Sequence, residues 1–300
     1  MPKSYRLLIV ALLVTAFAGG CRSTEEYQKL SEAGTAYTNA LDSLLTVAGN
    51  KRLDASSELL LKSRAFVPQT IEDYKKRTTA DIERLIVLED IRRHNQLLAR
   101  YFDLINQLAS SNAPETVQKE IGSTVDSLNK VGNKLRGSDF ITNKAAIQGI
   151  AGLVVSGQIR GALGEELSKR KDTINLEFIT QKELLLALSE SLQQDIKVIK
   201  EQQESRFVIK PFVSTTTVNN ARASSPIDDD GWITQRRTIL TMEATAAELE
   251  SASSAMSEFN EVFKDFVEGK LNQGRLNSLL SDIESFVSVV EKLKPSQLKN

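Results

Sequence analysis

The chain has 300 residues, with 38 lysines and arginines against 39 acids and a formal net charge of −1. That balance excludes the one-sided excess of cations that phosphate-backbone binding requires. At 41% hydrophobic and 26% charged residues the make-up is that of a folded protein, and a single cysteine with a single histidine excludes an internal disulfide and leaves too few soft ligands for a structural zinc site.

The first 21 residues stand apart. Lys3 and Arg6 precede an apolar run, Leu7 to Phe17, in which Thr15 alone is polar, and Ala18, Gly19 and Gly20 lead to Cys21. A basic start, a short apolar middle and a small-residue end make a secretory signal. The run falls below the ~20 residues that a membrane-spanning helix needs, so export and removal is the stronger reading than a retained span. Loss of Lys3 and Arg6 with the signal moves the net charge from −1 to −3.

Ala18-Gly19-Gly20-Cys21 resembles the lipobox of bacterial lipoproteins, with Ala18 where leucine is commoner. The resemblance implies a diacylglyceryl group on the Cys21 sulfur, removal of residues 1–20, and acylation of the freed amine, palmitate being the usual kind of chain. Arg22 is not the aspartate that favours inner-membrane retention in enteric bacteria, so the resemblance leans toward the outer membrane of the cell envelope. It covers only the first 22 residues. One acyl chain anchors a protein marginally and two anchor it stably. An ordinary secretory signal with an incidental cysteine is the alternative.

From Ser23 onward the pattern is helical. Ser23, Thr24, Glu25 and Glu26 suggest a helix start, and Tyr27, Leu30, Gly34, Tyr37, Leu41, Leu44 and Ala48 recur at steps of three and four. Gly49-Asn50 reads as a break or a kink before Leu53, Leu60 and Leu61, and Pro68 ends the run. Thr70 is an N-cap candidate for a helix of about 60 Å, at 1.5 Å per residue, whose stripe runs Ile71, Tyr74, Ile82, Leu85, Ile86, Ile91, Leu98, Tyr101, Phe102, Ile105, Leu108. Pro114 opens the next helix, marked by Val117, Ile121, Val125, Leu128, Val131 and Leu135, with Gly137 as its C-cap.

Residues 142–209 contain no proline, and their second part is strongly patterned from Leu167 to Ile199. Residues 212–230, rich in Ser, Thr and Asn, read as a surface loop. A further long helix is expected from Trp232 to Phe266, and a last one from Leu276 to Leu293. No stretch shows sustained period-two alternation. The expected fold class is all-α: an elongated bundle of long antiparallel, coiled-coil-like amphipathic helices, forming one domain over 21–300 with the irregular loop inside it.

Chemistry is sparse. His94, in RRHNQ, has Asp90 one turn before it and reads as a solvated helix position. Ser127–Lys130 and Ser168–Lys171 match SxxK, which a chain rich in serine and lysine gives by chance. Asp228, Asp229 and Asp230 lack the spaced ligands of a calcium loop and read as acids capping the Trp232 helix, with Trp232 a bundle plug or a partner contact. No cofactor motif, catalytic set or metal set is present.

Ala145 to Gly164 is the most unusual internal stretch, with glycines at Gly149, Gly152, Gly157, Gly161 and Gly164. Each glycine costs a helix ~1 kcal/mol relative to alanine, so something must compensate. Close helix packing, a hinge or helix–turn–helix tip, and a membrane-inserting segment all stay open. The expected function is a lipid-anchored, non-catalytic scaffold or binding module with a protein partner in the cell envelope and no nucleic acid. The alternative is a membrane-active, pore-forming-like protein that inserts Ala145–Gly164.

Overall fold

The structure is a computed structural model that describes residues 4–64, 70–141, 147, 152–154, 156, 159, 161–210, 228–247 and 250–293. Side chains are described from residue 29 onward, apart from 63–64, 243–247, 250–253 and 292–293. Among the described residues there are helices and no strands, so the protein is all-α. The helices are α1 (Ser4–Arg64), α2 (Ile71–Ser110), α3 (Pro114–Arg136), α4 (Gly161–Gln203), α5 (Asp229–Ala247), α6 (Glu250–Val267) and α7 (Gln273–Leu293). Beyond Gln203 the end of α4 widens to π-helical spacing over Glu204–Ile209.

Local chemistry sets several of the ends. Thr70 Oγ1 accepts from the Asp73 amide while the Asp73 carboxylate accepts from the Thr70 amide, a capping box that fixes the start of α2. Pro114 occupies the first turn of α3, where its missing N–H costs nothing. Gly137 caps α3 through its amide to Asn133 O, in the right-handed region (φ −77°) rather than the left-handed one. The turn after α6 passes through Gly269 at φ +70°, a conformation suited to glycine.

α1 does not begin at Ser23: its backbone is helical from Ser4 and runs without a break through Cys21 and through Gly49-Asn50. A Cβ at Gly49 would lie 3.2 Å from Leu85 Cδ2, so this glycine brings α1 close to α2 instead of breaking the helix.

Side-chain pairs give the helix directions. Arg92 bonds Asp42 and Arg52 bonds Asp81, so α2 returns antiparallel along α1. Arg52 also reaches Asp195, and Gln203 reaches Glu58, which sets α4 parallel to α1. Arg100 pairs with Glu120 and Lys134 with Asp90, so α3 runs back along α2. α5 and α6 descend along α4, from Trp232 beside Val208 to Val267 beside Ser156, and α7 turns back beside α6 and α1. The bundle therefore has a proximal end, holding the start of α1 and the α2–α3 and α6–α7 turns, and a distal end to which, among the described helices, only α1, α2, α4 and α5 extend.

The core is continuous along the bundle and thickest in the proximal half. There Tyr37, Phe102, Phe178, Phe259, Phe263 and Phe286 meet with ring centroids 5.1–6.2 Å apart. These spacings are those of favourable tilted and edge-to-face pairs, and they bind α1, α2, α4, α6 and α7 together.

Candidate functional site

α1 connects Cys21 to the bundle directly. Leu30 is already core, nine residues beyond Cys21, and an unbroken helix places Cys21 only about 13 Å along the axis from it. Arg64, at the other end of the same helix, lies about 65 Å from Cys21. Any group held at Cys21 is thus at the proximal end, and the distal end is held away from it by a helix without a joint.

The distal half has a different surface. Among the described residues, the large exposed apolar side chains other than Val154 and Leu186 all belong to it. Ile71, Tyr74, Ile82 and Ile86 form an outward stripe on the first half of α2, and Ile71 is 75% exposed. The α2 periodicity predicts a core-facing stripe along the whole helix, and its first half departs from that. Asp81 faces inward there, because Arg52 on α1 supplies a bond 3.1 Å from its carboxylate. Leu53 and Leu61 on α1, Phe207 and Ile209 in the π-helical turn, and Ile233 and Leu240 on α5 add to the exposed set. A concentration of exposed apolar side chains at one end of a bundle is a surface that a partner could cover.

Trp232 adjoins this end. It is half-buried, and its Nε1–H donates to Val208 O at 3.4 Å, so the indole closes α5 against the π-helical turn. Arg236 lies over the ring with its guanidinium carbon 5.8 Å from the centroid. Asp229 and Asp230 occupy the first turn of α5 and Asp228 precedes them, all exposed at the positive end of the helix. Residues 211–227, most of the expected loop, lie outside the described residues.

Within Ala145–Gly164, Gly149 and Gly157 also lie outside them. Leu153 is buried and its amide donates to Asp172 Oδ1 at 2.9 Å. The Ser156 amide donates to Val267 O at 2.8 Å, so this stretch crosses between α4 and the end of α6. Gly161 opens α4 at φ +69°, and a Cβ there would meet nothing within 4 Å, so the glycine answers a backbone requirement and not a helix contact. A Cβ at Gly152 would lie 3.9 Å from Asp172 Oδ1, an ordinary contact. Close approach occurs instead at Gly164, where a Cβ would lie 2.5 Å from Ile159 O. Among the described residues no helix is long and apolar enough to cross a membrane.

His94 corrects the sequence reading. It is fully buried, not solvated: Nδ1 lies 2.7 Å from Gln181 Oε1 and Nε2 lies 2.9 Å from Glu177 Oε2. Arg136 donates to the same Glu177 oxygen and to Thr180 Oγ1, both at 2.8 Å, and also to Asn133 and Asn129. A carboxylate this deep is tolerable because two donors share it, one of them a permanent cation. Gly132 belongs to the same assembly: the Glu177 carboxylate fills the space a Cβ would occupy there. Glu177 Oε1 and Gln181 Nε2 have no partner among the described residues. His94, Glu177 and Gln181 are out of solvent and, with the half-buried Arg136, join α2, α3 and α4, so the geometry is that of a buried polar tie. The sequence carries a signal for this burial, since His94 stands three residues after Ile91 and four before Leu98, both on the seam.

No protein-family model matches the chain, and neither a curated protein nor a solved structure matches it.

Proposed function

We propose that the protein is a lipid-anchored, non-catalytic binding module of the bacterial cell envelope, held by acylated Cys21 and presenting its distal half to a protein partner. The observation that carries this reading is the segregation of exposed apolar side chains to the end farthest from Cys21. An anchor at one end of a continuous helix and a contact surface at the other is the arrangement of a strut. Removal of residues 1–20 would leave α1 starting at the lipidated residue, with no flexible tether before the core begins at Leu30. The bundle would then stand close to the membrane surface, and the outer membrane is the favoured one from Arg22.

A photo-crosslinking side chain placed at Ile82 on the distal stripe, and separately at Glu120 on proximal α3, tests the reading in intact cells. The expected result is a discrete protein adduct from position 82 and none from position 120. Equal capture at both positions, or none at 82, would remove the distal surface from the account.

A further inference from the structure

α3 ends at Arg136, well before α2 and α4 reach the distal end, and among the described residues no helix fills the groove between those two beyond it. The turn after α3 is held by the Ser138 amide and hydroxyl, both on Leu135 O, and it sets Phe140 half-buried against the core. Arg84 of α2 lies over that ring, its guanidinium carbon 4.1 Å from the centroid. Together they wall a surface groove of about 440 Å³ whose α4 side includes Glu190, Ser191 and Gln194. Its size falls in the range of small-ligand sites, ~300–1,000 Å³.

The chemistry of the groove is unfinished. Arg52, Arg92, Arg136, Arg170 and Arg206 each bond a carboxylate. Arg84 makes no hydrogen bond or ion pair among the described residues, although it is half-buried. The guanidinium has five N–H donors in one plane, and stacking on a ring satisfies none of them. Burial disfavours its charge, with Asp195 pulling the other way and Arg52 adding to the effect, and a guanidinium stays protonated in a protein, so its N–H donors remain open to an anion. Glu190 and Asp139 stand at the same groove, exposed and likewise without an ion pair among the described residues.

We infer that this groove binds a small zwitterionic ligand of the amino-acid or short-peptide class. Its carboxylate engages Arg84 above Phe140, and its ammonium or amide donors face Glu190. A planar fork matches a carboxylate through two parallel hydrogen bonds, an uncharged group would leave the cation unanswered, and the nearby acids disfavour a polyanion. The site lies outside the apolar stripe and does not depend on the anchoring at Cys21.

The test uses the lipidated mature protein in detergent micelles, with trialanine, its C-terminal amide and its N-acetyl form as probes. Binding is read from the Arg84 side-chain Nε–H resonance and by calorimetry. The expected result is saturable trialanine binding, with the amide weaker by about tenfold or more, the loss of one charge-assisted pair. Arg84→Gln and Arg84→Lys should each weaken trialanine by a similar factor, the lysine because it lacks the fork, with thermal midpoints unchanged. Glu190→Gln should weaken trialanine and leave the N-acetyl form unaffected. Absence of binding at concentrations on the order of 10 mM, equal affinity for acid and amide, or full affinity in Arg84→Gln would overturn the assignment.

Discussion

His94 Nε2 lies 2.9 Å from Glu177 Oε2, with both side chains wholly out of solvent, and Arg136 donates to the same oxygen from the opposite helix. One carboxylate thereby ties α2 and α3 to α4 at the level where α3 ends. Removing it leaves a guanidinium and an imidazole facing an empty site. Glu177→Ala should therefore destabilise the protein by about 3–5 kcal/mol, measured by urea denaturation. Replacing Arg136 by methionine in the same chain should recover part of that loss, since the unpaired charge is then gone.

Gly132 gives a second, sharper check on the same assembly. A methyl group there occupies the space of the Glu177 carboxylate. Gly132→Ala should cost about 1–3 kcal/mol in the natural background. In a Glu177→Ala background the same change should be neutral or stabilising by up to ~1 kcal/mol, because only the helix preference for alanine remains. The sign reversal across this double-mutant cycle is the readout; equal effects in both backgrounds would mean that the two residues do not touch.

Tyr37 sets an alkaline limit. Its hydroxyl is buried without a partner among the described residues, and burial pushes the phenol well above its ordinary range. A raised folded value means that the folded state holds its proton longer than the unfolded state. The associated stability is complete below the unfolded value of ~10 and is lost as pH rises above it toward the folded value. Tyr37→Phe should remove this part of the alkaline loss. At neutral pH it should change stability by no more than about 1 kcal/mol, because the hydroxyl it deletes has no partner among the described residues. Thermal melts of both proteins from about pH 7 to 11, spanning the phenol's ordinary value, would show it.

Asp172 behaves in the opposite sense. The Leu153 amide, and Lys171 beside it, hold its carboxyl below the usual aspartate range. A lowered folded value means that the contact contributes above the unfolded pKa and disappears as pH falls through the folded one. Acidification should release the 152–154 stretch from α4 before the bundle unfolds. The Leu153 amide resonance should titrate with the carboxylate, and Asp172→Asn should abolish that titration.

The helical class and several ends are legible because they depend on neighbours in sequence: Thr70 three residues from Asp73, Pro114 at a helix start, Gly137 after a run of seam residues. The inward face of α2 is legible from Ile91 to Leu108, where the apolar residues keep the period. It fails at Ile71, Tyr74, Ile82 and Ile86, although Leu85 between them packs on the core, and Asp81 turns inward on account of an arginine 29 residues away on another helix. His94 is misread for the same reason. Its position on the seam is plain, but what makes a buried imidazole acceptable is supplied by Glu177 and Gln181, 83 and 87 residues further on. Arg84 has no mark at all in the sequence. Its distinction is a missing partner and a ring at residue 140, and only the packed bundle brings them together.

The proposed anchoring at Cys21 is what would give the proximal and distal ends their different roles. Mass spectrometry of the protein extracted from membranes, intact and after proteolysis, measures its state directly. The account predicts a chain whose first residue is Cys21, carrying the mass of a diacylglyceryl group on sulfur and of an acyl chain on the amine. A chain that starts elsewhere, or a Cys21 with a free thiol, would contradict it.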